Sequence, residues 1–224
     1  MTSFFNLVNN KNVAIVGPAE YMTNSELGNV IDSHDIVVRI NRSVELCDLY
    51  SVDIGSRTDI LYSCMIEKSA NAGTVDVDYL KNKLNIKFIC IPPASSMKGY
   101  ASNNTVSDLI STETLSNISI AIPTRVVDYK LNNRIASEIN CRPNTGYLAI
   151  FDLINCNPKK LSIFGFSFYL DGFMKGCKSG VEKEENMTEA QYTDKCFNST
   201  RHIQKNMWLY AKKTLLNHKK VKLD

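Results

Sequence analysis

No stretch of the 224-residue sequence approaches the ~18 uninterrupted apolar residues that span a bilayer, so no segment reads as membrane-crossing. Charge of one sign is also lacking. The net charge of +3 is too small to argue for a nucleic-acid partner. Cysteine is present but unpaired in spacing: the seven residues at 47, 64, 90, 141, 156, 177 and 196 are an odd number without CxxC, which points away from a disulfide framework or a zinc site. Histidine is scarce. With three in the chain, a general base of that type must be His34, His202 or His218. Glycine is equally thin where it would matter, since Gly17-Pro18-Ala19 lacks the two further glycines of a dinucleotide fingerprint. The opening MTSFFNLVNNKNVAIVG has no basic stretch followed by a long apolar one, so an unexported, cytoplasmic protein with reduced thiols is expected.

What is present is ordinary globular material, 44% apolar and 22% charged, in a length that suits one domain over 1–224 without internal repeats. Short β-branched runs alternate with helical patterns, which predicts an α/β, Rossmann-like, mostly parallel sheet flanked by helices. Strands are expected at 13–17, 35–41, 59–64, 87–91, 118–122 and 161–166. Helices are expected from a Thr23/Glu26 capping box through Ile31, over 104–115, over 125–137, and from Ser199-Thr200 to the basic end at His218-Lys219-Lys220. The polar run 174–198 reads as a loop.

The most informative stretch is RPNTGYLAIFDLINCNPKKLSIFGF, Arg142 to Phe166. Asn144 is a good N-cap, and Tyr147 to Ile154 is apolar apart from Asp152, so a buried helix should begin at this turn. Its first-turn N–H groups have no intrahelical acceptor and carry the positive end of the dipole. An Asn144-Thr145-Gly146 entrance therefore suits a phosphate or a carboxylate, although an ordinary capped core helix would look the same. Far upstream, the strand ends at Gly17-Pro18 and at Arg39 to Asn41 should meet at one crevice, because open parallel sheets gather ligands at their carboxyl ends. Asn41 offers both donor and acceptor to a nucleotide, or simply ends a strand in a turn.

These two blocks together resemble the sialyltransferases of glycosyltransferase family 29. Val13 to Gly17, Ile31-Asp32-Ser33-His34-Asp35, Arg39-Ile40-Asn41 and Gly55-Ser56-Arg57-Thr58 look like the family's large motif; Arg142 to Phe166 looks like its small motif. The resemblance implies the family's variant of the GT-A fold and a CMP-linked donor sugar. It further implies an inverting transfer of sialic acid, or a related ulosonic acid, to a glycan acceptor hydroxyl, without a metal or other cofactor. A Kdo transferase using CMP-Kdo and a catalytically silent CMP- or glycan-binding protein are the alternatives.

Residue by residue, the resemblance assigns nucleotide and substrate binding to Gly17, Pro18, Asn41, Asn144, Thr145, Gly146, Gly165, Phe166 and Tyr192. His202 matches the His of a His-x-x-x-x-Glu motif that opens the last helix, and is the implied general base. Imidazole, with an ordinary pKa of about 6.5, suits that task near neutrality. Met207 replaces the motif Glu, which removes one orienting partner. Pro18 replaces a usual Asn, and Gln191-Tyr192-Thr193-Asp194 is only a weak match to the aromatic motif. Secreted members bridge the two motifs with a disulfide; Cys156 matches one half, but Val13 stands at the other, which fits a cytoplasmic bacterial- or viral-type member. Asp76-Val77-Asp78 has a metal-binding form, yet it opens a helix-like run where carboxylates complement the dipole. Arg57 reads as a brace for neighbouring aspartates and His34 as a structural residue.

Overall fold

A computed structural model describes residues 3–69, 72–168, 172–177, 184, 186–198 and 202–224. Seven strands form one sheet: β1 (Asn12–Val16), β2 (Ile36–Ile40), β3 (Ile60–Tyr62), β4 (Phe88–Ile91), β5 (Thr124–Val126), β6 (Lys160–Phe164) and β7 (Val221–Leu223). Their order is β5-β4-β3-β2-β1-β6-β7, and every neighbouring pair is parallel. The chain steps outward from β1 to β5, then returns to lay β6 on the other side of β1. Strand order reverses at β1 and β6, so their carboxyl ends open the crevice in which such sheets take ligands.

The strands are apolar on both faces because both faces are covered. Val13 and Ile15 of β1 pack into one layer, built on α1 (Phe4–Val8), α5 (Tyr129–Ile139), α6 (Thr145–Asn155) and α8 (Gln204–Leu215). Ala14 and Val16 pack into the other, with α2 (Gly28–Asp32) and α3 (Cys47–Ile54). A further cluster joins β3 and β4 to α4 (Thr112–Ala121). Asp152, the one acidic residue in α6, is buried. It pairs with Arg125 of β5 and accepts a 2.6 Å hydrogen bond from the Tyr62 hydroxyl of β3. Arg125 also lies 3.8 Å from the centre of the Phe4 ring. Burial pushes the Asp152 carboxyl up, while the guanidinium and the hydroxyl pull it back down. Through this group, α6 is fixed at mid-length to two strands.

Several local expectations are corrected. The run 118–121 is helical, the end of α4, with Ile122 as its C-cap: Ser111 caps the start, Ile118 and Ile122 stand four apart and are both buried, and Ile120 is 83% exposed. Arg125 and Val126 belong to β5, and the helix that follows starts after the Asp128 cap. No capping box forms at Thr23, because Glu26 has a positive φ of 56° and gives its N–H to Asp53. Within the polar run, Glu189–Asn198 is α7, and the basic C-terminus continues into β7. Ser199 and Thr200, expected to open the last helix, lie outside the described residues. The cysteines at 47, 64, 90, 141, 156 and 177 are thiols. Among the described residues, no helix is long and apolar enough to cross a membrane.

Candidate active site

The two strand ends at the switch point touch backbone to backbone. Gly17 donates its N–H to the Phe164 carbonyl at 2.8 Å, and a Cβ on Gly17 would lie 2.4 Å from the Gly165 oxygen. Gly165 has φ of +68°, which glycine alone adopts without strain. The Phe166 ring lies over Gly17 and Gly146, so close that a Cβ on either would collide with it. These glycines lie beneath the site and let its walls approach.

A cleft of about 520 Å³ opens above the carboxyl ends of β1 to β4. Pro18, Asn41, Asn144, Thr145 and His202 all line it. Gly165 and Phe166 instead line a side pocket of about 70 Å³ that shares Pro18, Asn144 and Phe173 with the main cleft. Tyr192 does not line either. It is buried against Phe173 and Met187, and its ring presses on Gly172, so it backs the wall that Phe173 presents.

At the α6 N-terminus, Asn144 is extended and its Oδ1 accepts the Tyr147 N–H at 2.8 Å. Leu148 donates to the Asn144 carbonyl. The N–H groups of Thr145 and Gly146 then have no protein acceptor among the described residues, and the dipole favours an anion there. Asn41 has φ of 47°, a turn residue, and it also faces the cleft. Its Oδ1 accepts the Cys64 N–H at 2.9 Å, which ties the exits of β2 and β3 together. Arg39, expected near this crevice, turns away from it: side chains alternate along a strand, and its buried guanidinium donates to the carbonyls of Ile54, Gly55 and Arg57.

Three other groups are structural in this arrangement. Arg57 pairs with Asp59 at 3.0 Å and donates to the Asp32 and His34 carbonyls. His34 sets its Nδ1 between the carbonyls of Val30 and Ile31 and packs edge-on to Phe164. Asp76 accepts the Tyr79 N–H and Asp78 binds Asn82, so both carboxylates serve the π-helical turn Tyr79–Lys83. Among the described residues, no group of three or more His, Cys, Asp or Glu side chains could hold a metal ion.

His202 precedes α8, and its Nδ1 lies 2.8 Å from the Arg142 carbonyl. A carbonyl only accepts, so Nδ1 carries a hydrogen and, in the neutral imidazole, Nε2 carries the lone pair. Met207, at the position of the motif Glu, is fully buried; its carbonyl accepts the Tyr147 hydroxyl at 3.0 Å. Asn206 donates to the Ile139 carbonyl at 2.7 Å. The segment 139–147 therefore holds both the anion-ready helix entrance and the imidazole.

The sequence profile of glycosyltransferase family 29 (sialyltransferase) matches residues 6–172. The chain belongs to this family. The fold of this family-29 glycosyltransferase is similar to that of a mammalian sialyltransferase in complex with Gal-beta-1-3GalNAc-ortho-nitrophenol, at 15% identity and a TM-score of 0.51 over 99% of this chain and 71% of that one. A second mammalian sialyltransferase structure gives 16% and 0.49 over 96% and 69%. The sialyltransferase CST-II in complex with CMP gives 14% and 0.49 over 95% and 80%. No curated protein matches the sequence significantly.

The profile ends at residue 172, so it covers eight of the ten residues expected in the family-29 site and omits Tyr192 and His202. The structure brings His202 back to the matched part through Arg142. Two features escaped the sequence reading. One is the Arg142 carbonyl, whose only signal was its place at the start of the small motif. The other is the facing wall made by the loops after β3 and β4, with Ile66, Ser69, Pro92, Pro93 and Ser95. Position after a strand end was its only clue.

Proposed function

We propose that this chain transfers a sialic acid, or a related ulosonic acid, from a CMP-linked donor to a glycan hydroxyl, with inversion and without a metal. The observation that carries this reading is the tether of His202 to the Arg142 carbonyl on the cleft that also receives the α6 N-terminus. His202 Nε2 takes the proton of the acceptor hydroxyl. The oxygen attacks the anomeric carbon from one side while the bond to the phosphate oxygen breaks on the other. CMP departs with its charge received by the N–H groups of Thr145 and Gly146, and Asn41 completes the phosphate site. Preorganised donors of this kind stabilise a single-phosphate leaving group as charge develops. The carbonyl tether does for the imidazole what a motif Glu would do, which favours an active enzyme over a silent binder despite Met207. Val13, in place of a bridging cysteine, fits a compartment that keeps thiols reduced.

The test is mass spectrometry of glycan acceptors incubated with CMP-sialic acid or CMP-Kdo in the presence of EDTA. A product heavier by one donor sugar is expected, and its mass identifies which acid is used. Transfer that requires manganese, or that proceeds only from a UDP-linked sugar, would overturn the reading.

A further inference from the structure

The buried face of α5 carries Ile135, Ala136 and Ile139, and Asn132, one turn earlier on that face, is only 2% exposed. A carboxamide at an apolar position costs stability unless its groups are bonded. Half of this one is. Its Nδ2 donates to the Gly99 carbonyl at 2.7 Å and to Asn133 Oδ1 at 3.2 Å. Asn133 in turn pairs with both backbone groups of Ala101 at 2.8 Å, which fixes its own amide with the oxygen as acceptor. Rotating the Asn132 amide would set oxygen against two oxygens, so its Oδ1 is held on the side away from them. Asn132 lines the cleft. Among the described residues Oδ1 has no hydrogen-bond partner, yet it is not one of the enclosed, unpartnered atoms, so it opens on the cleft.

The position of this oxygen narrows what it can serve. Gly99 has φ of +94°, and a Cβ there would lie 2.6 Å from the Arg142 Cα. The loop that Asn132 holds therefore rests on the residue whose carbonyl carries His202. The contacts from Asn132 to Gly99, Gly99 to Arg142 and Arg142 to His202 join the oxygen to the base. An oxygen that only accepts repels a phosphate or a carboxylate and suits a sugar hydroxyl.

We infer that Asn132 is a specificity-determining residue for the acceptor sugar: its Oδ1 accepts a hydrogen bond from a hydroxyl beside the one that His202 deprotonates. This rests on the transfer reaction proposed above. Because the amide is locked by its own Nδ2, it recognises that hydroxyl without being ordered first.

Immobilised glycans offered with CMP-sialic acid identify the sugar that wild type modifies, and monodeoxy analogues of that sugar, compared on wild type and Asn132→Ala, test the inference. For wild type, removing one hydroxyl other than the reacting one should raise the acceptor KM about tenfold with kcat held, the worth of one neutral hydrogen bond. Asn132→Ala should raise KM for the parent sugar by a similar factor, be indifferent to that deletion, and bind CMP as wild type does. Wild type that uses every such analogue as well as the parent overturns the inference whether or not the variant folds. Asn132→Ala that still penalises the same analogue, or that loses only kcat, overturns it by leaving Asn132 as no more than the anchor of Gly99. A loss confined to CMP affinity overturns it by moving the residue to the donor. Wild type that modifies no glycan contradicts the transferase reading itself, and the inference falls with it.

Discussion

The two long walls of the cleft are built differently. The wall that carries Arg142, Asn144, Thr145 and His202 is tied into the core at several points: Asp152 to Arg125 and Tyr62, Tyr147 to Met207, Asn206 to Ile139, His202 to Arg142. The facing wall, which presents Ile66, Ser69 and Ala72 after β3 and Pro92, Pro93 and Ser95 after β4, is loop; among the described residues its ties include Glu67 to Ser111, and the loop after β4 reaches α5 where Asn132 donates to the Gly99 carbonyl. Groups that act on the bond being broken need fixed geometry, whereas groups that choose an acceptor gain from loops that vary. On the function proposed above, donor chemistry belongs to the first wall and acceptor choice to the second.

The contrast breaks most severely if the core attachment of α6 is cut. Arg125→Met strands the buried Asp152 carboxylate, and a loss of about 3–5 kcal/mol is expected in chemical denaturation, with CMP binding weakened as α6 shifts. A variant as stable as wild type would show that the pair does not fix the helix. Tyr147→Phe removes the bond to the Met207 carbonyl and should cost about 1–2 kcal/mol. Here kcat should fall while CMP affinity holds; a change confined to CMP affinity would contradict the link between the helix entrance and the base. On the facing wall, Ser95→Ala should move stability by no more than about 0.5 kcal/mol and alter only the acceptor KM. An effect on CMP affinity would erase the distinction.

The smallest effect expected is in acid. Hydrogen bonds from Thr114 and Ser111 hold the Glu67 carboxyl below its ordinary value, so their stabilisation is present above that ordinary value. It is lost as pH falls through the lower folded-state value. The protection factors of the Glu67-loop amides should fall there, and Glu67→Gln should remove that pH dependence; protection that stays constant with pH in wild type would count against the anchor.

Much of the donor side was legible in sequence because its chemistry is local. Asn144 caps the helix that follows it, Gly165 takes the positive φ its turn needs, and strands covered on both faces read as apolar runs. Local pattern misled where it served two structures equally. Asn117 to Ile122 alternates like a strand, and only the burial of Ile118 and Ile122 with exposure of Ile120 reveals a helix. The tether of His202 joins residues 60 apart through a main-chain carbonyl, which no side-chain pattern records. Arg39 is a third case. Its strand neighbour Ile40 lines the cleft, and the pleat turns the guanidinium to the opposite layer. Asp152 reads as an interruption of an apolar helix until Arg125 and Tyr62 arrive from two distant strands.

The central claim is that one wall holds a base and a leaving-group site that act together yet bind separately. Single-turnover transfer from CMP-sialic acid by wild type and His202→Ala, with CMP affinity measured in parallel, tests this most directly. Transfer should fall roughly a hundred- to ten-thousandfold while CMP affinity is unchanged. Undiminished transfer by His202→Ala would remove the imidazole from the reaction and contradict the account.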